Sequence, residues 1–257
     1  MKFYGKHLLS VVLVCAVLLS FSFSAAACEA EEEGYAVNEN GMTYGTMLQA
    51  EELGEEPDLI LAVGENNVTG YLRTSDLVYT PTSPEDALRW NEETTENYYI
   101  PLYADDGETI IGRFLVTVSS EQPVQTRSEW TAGKELKMSP PNYSARTTNY
   151  IKGSLLGVTA KTTIRTRTVD ESTEFPVPAG YLGIQVRIWK KSTGAVVKST
   201  AVAYNSSTTR EFSKELYYMI NDGDAYASKG IVWALNIEED KYWCYQTYIS
   251  PYIQPNT

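Results

Sequence analysis

The chain has 257 residues, 21 Lys and Arg against 33 Asp and Glu for a net charge of −12, one His, three Cys, 43% hydrophobic and 12% aromatic residues. That balance is too polar for a multi-span membrane protein and too apolar for a disordered chain, and the length suffices for a sizeable core. So acidic a chain argues against binding nucleic acid through a general basic surface, because phosphate recognition needs clustered Lys and Arg.

The first segment reads as an address. Lys2, Lys6 and His7 precede an apolar run from Leu8 to Phe23, then Ser24, Ala25, Ala26 and Ala27, then acids at Glu29 and Glu31 to Glu33. A cationic start, a short apolar stretch and small residues before a cleavage point predict a secretory signal peptide over 1–27. The apolar run is shorter than the roughly 20 residues of a spanning helix, which speaks against the rival reading of an uncleaved anchor. Cleavage is expected after Ala27, with Ala30 as a second position. Cys28 follows at once and is a candidate for lipoprotein-type acylation, although Ala25 stands where such signals usually carry Leu. Cys15 leaves with the signal. Cys28 and Cys244 are then the candidates for one disulfide, and a disulfide-rich scaffold is excluded. The expected location is secreted or attached to the cell envelope, touching membrane only through the signal or a lipid at Cys28.

His7 is the only histidine and lies inside that signal. Its loss excludes Ser-His-Asp and Cys-His catalysis, His-ligated zinc and HExxH peptidase chemistry. Nucleophile-elbow, P-loop and dinucleotide-binding glycine patterns are absent too. Chemistry by carboxylates alone, as in glycoside hydrolysis, survives without a predicted location. No catalytic residue, metal site or cofactor is assigned. Asn221, Asp222 and Asp224 resemble the start of a calcium loop, but no Gly or Glu follows in register, so a solvated turn is expected.

Charge divides the mature chain. Residues 28–120 hold 20 acids against Arg73, Arg89 and Arg113, whereas 121–257 hold 13 acids against 16 bases. The step predicts two modules: an acidic tether over 28–36, an acidic α+β module over 37–120, a partly irregular linker over 121–150 and a β-sandwich module over 151–257.

Within the acidic module, Gly34 to Asn38 and Met42 to Thr46 flank an Asn-Gly turn, and Asp58 to Val63 and Val68 to Arg73 form a second candidate hairpin. Ser83, Pro84, Glu85 and Asp86 predict a helix N-terminus running to Glu93. Tyr99 to Tyr103 and Thr109 to Val118 follow as strands. The run Asn38 to Thr46, Pro57-Asp58-Leu59-Ile60, Gly70-Tyr71-Leu72-Arg73 and Pro84 to Leu88, continuing through Ile100-Pro101-Leu102-Tyr103 to Gly112, resembles a segment recurring in secreted and membrane-anchored proteins of Gram-positive, clostridial-type bacteria. In some relatives it is attached to beta-lactam-response sensor metallopeptidases. With no histidine beyond His7, that peptidase activity does not carry over. The resemblance implies an exported or envelope protein.

The second module alternates as β. Leu182, Ile184, Val186 and Ile188 share one face of a strand over Tyr181 to Trp189, with a hairpin return over Ala195 to Tyr204. Thr159 to Thr168 is another strand, with Lys161, Arg165 and Arg167 on one side, expected to be a solvated sheet face, with anionic wall polymers or the acidic first module as the alternative partners. Ile231, Trp233, Leu235 and Ile237 share a third face, and Lys241 to Ile249 returns. The whole reads as mainly β, a small α+β module followed by an antiparallel β-sandwich.

Tyr and Trp crowd the C-terminal part from Tyr217 to Tyr252. Trp233 is assigned to the core by its apolar companions. Tyr181, Gln185, Arg187 and Trp189, opposite an apolar face, form the candidate ligand-binding surface, where flat rings with polar edges suit sugars or peptide side chains. The expected function is a non-catalytic, exported binding module for cell-wall carbohydrate or an extracellular protein. The alternatives are a carboxylate-based hydrolase and a bacteriocin-like secreted effector.

Overall fold

A computed structural model describes residues 34–118, 129–154, 156–220 and 222–254. The expected signal peptide, most of the acidic tether, Cys28 and the expected boundary near Ser119 lie outside these residues. Among those described, no helix is long and apolar enough to cross a membrane.

The acidic region begins with β1 (Ala36–Val37), β2 (Thr43–Gly45), helix α1 (Met47–Leu53), β3 (Leu59–Val63) and β4 (Thr69–Arg73). Helix α2 (Pro84–Glu93), β5 (Tyr98–Tyr103) and β6 (Ile110–Thr117) complete it. The Ser83 hydroxyl accepts from the Asp86 amide and Pro84 occupies the first turn, so α2 starts where its capping residues predict. Helix α1 was not legible as such. A capping box of Thr46 and Gln49 opens it and Gly54, at φ 80°, closes it.

The later strands are β7 (Thr131–Ala132), β8 (Leu136–Met138), β9 (Ser144–Gly153), β10 (Gly157–Arg167), β11 (Leu182–Lys190) and β12 (Val196–Thr200). Then come β13 (Ala203–Tyr204), β14 (Glu211–Met219), β15 (Tyr226–Asn236) and β16 (Lys241–Gln246). The chain is mainly β, as its alternation predicts. The region 121–150, expected to be a partly irregular linker, carries β7, β8 and the start of β9 within its described residues.

Two sheets form. The smaller runs β14-β10-β9-β7, with β8 also on β9; the larger runs β1-β2-β3-β4-β5-β6-β12-β11-β15-β16, with β13 also on β11. Ala160, Ile164, Ile151 and Leu216 of the smaller sheet pack against Leu182, Ile184, Val186 and Ile188 of the larger, giving a sandwich core.

The junction of the two halves is β12. It pairs antiparallel with β11, and in parallel with β6 through Ser199 and Thr200 and with β3 through Val196. Strands β3, β4, β5, β6 and β12 therefore close a five-stranded ring around Ile60, Leu72, Leu102, Phe114 and Val196. The charge step near residue 120 marks no division of the fold, since residues 34–257 make one compact unit. A strand from one side of the step closes the ring built by the other.

Candidate functional site

The second face of β11 lies inside. Gln185, Arg187 and Trp189 are all fully buried, and Tyr181 is half-buried against core residues. The expected exposed binding surface is corrected to an interior layer, because the ring and α1 cover the face that the sandwich core leaves free. Trp189 packs with Ile60, Ala62 and Val196, edge-on to Tyr252 at 5.4 Å. Gln185 donates to the Leu77 carbonyl at 2.6 Å and accepts from Arg187 Nε at 3.0 Å. Arg187 Nη1 in turn donates to Glu56 Oε2 at 2.8 Å. Gln185, Arg187 and Trp189 join chain segments and offer no ligand a surface, and Tyr181 is left alone at the margin of the core. Trp233 is buried as assigned, its indole N–H donating to Thr80 Oγ1 at 3.0 Å.

Asp222 and Asp224 flank Lys190 at 2.8 and 3.6 Å, so both carboxylates serve an ion pair. Cys244, on edge strand β16, has no disulfide partner among the described residues and touches solvent, Cys28 lying outside them, while the surrounding packing pushes the thiol up to about 11. Such a thiol is a poor nucleophile at neutral pH.

An exposed site emerges elsewhere, on the outer face of the smaller sheet. Period-two alternation along β9 sends Ala145, Thr147, Asn149 and Ile151 inward, and Arg146, Thr148, Tyr150 and Lys152 outward. On β10 the same alternation turns Lys161, Arg165 and Arg167 outward. Register sets Tyr150 opposite Lys161 and Arg146 opposite Arg165. Trp130, just before β7, leans over this face with its ring 6.4 Å from Tyr150.

Two ammonium groups converge on that indole. Lys152 Nζ lies 4.5 Å from the Trp130 ring centre and Lys161 Nζ 4.6 Å, with Lys161 also 5.1 Å from Tyr150. Ring quadrupoles hold cations without neutralising them, so the positive charge stays available to an incoming anion. At the other end of the face the cations are spent on carboxylates. Arg165 pairs with Glu211 at 2.8 Å, Arg146 with Glu135 at 2.7 Å, and Arg146 and Lys137 both hold Glu171. Hydrogen bonds from Lys137 first, then Arg146, hold the Glu171 carboxyl down at about 2. Beside Arg165, a groove of about 480 Å³ is walled by Arg167, Arg210, Glu174 and Glu211.

The sequence placed Lys161, Arg165 and Arg167 together on one face, and the structure does so. It missed Trp130, Tyr150 and Lys152, because they fell in or beside the expected linker. The alternation of Arg146, Thr148, Tyr150 and Lys152 was the signal that pointed to them. No protein-family model, curated protein or solved structure matches the chain.

Proposed function

We propose that the protein is an exported, non-catalytic binding module whose smaller sheet holds an anionic carbohydrate polymer of the cell envelope. The observation that carries this reading is the convergence of Lys152 and Lys161 on Trp130, with Tyr150 beside them. A polymer chain along the face meets ammonium groups for its charges and flat aromatic rings for the apolar faces of its sugars. The 20 acids of residues 28–120 repel a polyanion from that part of the chain, which favours the basic face of the smaller sheet. Export rests on the signal-like residues 1–27, and membrane contact would come only through them or a lipid at Cys28.

The test is co-sedimentation of the protein with Gram-positive cell walls, either intact or stripped of their anionic polymers. Pelleting is expected on intact walls only, weakening as salt rises. Trp130→Ala and the double variant Lys152→Ala/Lys161→Ala should each lower it several-fold without changing the unfolding midpoint. Equal pelleting on stripped walls, or unchanged pelleting of both variants, overturns the assignment.

A further inference from the structure

Strand β14 is the edge of the smaller sheet, and alternation turns its Phe212, Lys214 and Leu216 toward the larger one. Phe212 and Leu216 pack on the sandwich core. On the larger sheet, Ala203 of β13 pairs with Ile184 of β11, so its methyl group points to the same core-facing side as the Ile184 side chain. A methyl group is too short to meet β14 there. A groove of about 370 Å³ opens at this edge, lined by Ala201, Ala203, Val118, Phe212, Thr94 and Lys214 among others.

Among the described residues that line the groove, Lys214 alone carries a charge. No described residue hydrogen-bonds or ion-pairs with its ammonium. The side chain is half-buried, its stem set between the sheets while the ammonium keeps contact with water. Burial holds that ammonium below its ordinary range. A carboxylate placed beside it would favour the charged form again. The groove therefore joins an apolar floor to one unpaired cation.

We infer that this groove binds a small amphiphilic carboxylate of the medium-chain fatty acid type. The carboxylate meets Lys214, and the alkyl chain lies over Ala203 and Ala201 against Phe212 and Val118. A mostly apolar cleft with one placed polar group, at the small end of ligand-binding volumes, suits such a molecule. An inorganic anion would leave the floor wet, and a hydrocarbon would leave the ammonium unanswered. Lys214 points inward from β14, whereas the polymer-binding strip is on the outer face, so the inference stands independently of that reading.

The experiment is isothermal titration of the protein with hexanoate, octanoate and decanoate, with octylamine as the same chain under the opposite charge. Octanoate should bind saturably at one site, and affinity should rise about four-fold per methylene along the series. Octylamine should give no saturable heat. Lys214→Met, which keeps the stem and removes the charge, should weaken octanoate at least about ten-fold. Ala203→Leu, which fills the groove, should abolish binding. No saturable binding to the parent overturns the inference, including the case in which residues 119–128, which follow Val118 in the chain, occupy the groove themselves. Octylamine binding as tightly as octanoate overturns it too, as does either variant binding octanoate as the parent does. If Ala203→Leu fails to fold, Lys214→Met decides alone.

Discussion

Arg187 and Glu56 meet at 2.8 Å with 1% and 3% of their side chains exposed. Each charge has given up its hydration, and their mutual attraction plus the Gln185 contact offsets that loss. The fork is incomplete, because Arg187 Nη2 and Glu56 Oε1 have no hydrogen-bond partner. Removing one partner strands the other charge. Arg187→Met or Glu56→Gln is therefore expected to lower stability by about 3–5 kcal/mol in urea unfolding. The double variant Arg187→Met/Glu56→Leu should lose far less than the sum of the single changes. Additive losses would mean that the two side chains act separately. This pair was not legible in the sequence. Arg187 beside Gln185 in an alternating strand reads as a wet face, and its partner stands 131 positions earlier in the chain.

At the scale of the element, β11 is buried along almost its whole length. One face meets the sandwich core through Leu182 to Ile188, and the other meets the ring through Trp189. Alternation revealed the first face, because apolar residues at period two have one meaning. It misjudged the second, because polar residues at period two signal water only when no other layer covers them. Helix α2 was legible from its Ser-Pro cap, and α1 was not, since its seven residues offer too little periodicity. Trp189→Ala is expected to cost about 3–5 kcal/mol by urea unfolding, as a large buried ring leaves a cavity. Trp130→Ala should cost under about 0.5 kcal/mol, as a change on a sheet surface does. Equal costs would refute the assignment of one Trp to the interior and the other to the site.

At the scale of the whole molecule, the charge step suggested two modules, yet the hydrogen-bonded path runs from β6 through β12 into β11 without a break. Charge reports which surfaces face water, and it is silent about strand pairing. Parallel pairs such as β12 with β6 leave no turn signal, because their partners are joined by long connections. Since the larger sheet draws strands from both halves, urea unfolding followed by tryptophan fluorescence and by far-UV circular dichroism should give coincident transitions. Two separated midpoints would restore the two-module view. The closing role of β12 also sets a problem of timing at the ribosome. Thr117 is synthesised well before Val196, so the nascent ring waits with a gap between β3 and β6 that a strand of a neighbouring nascent chain can fill. The 20 acids of residues 28–120 are already in place during that wait. Like charge of that density disfavours pairing between two incomplete rings.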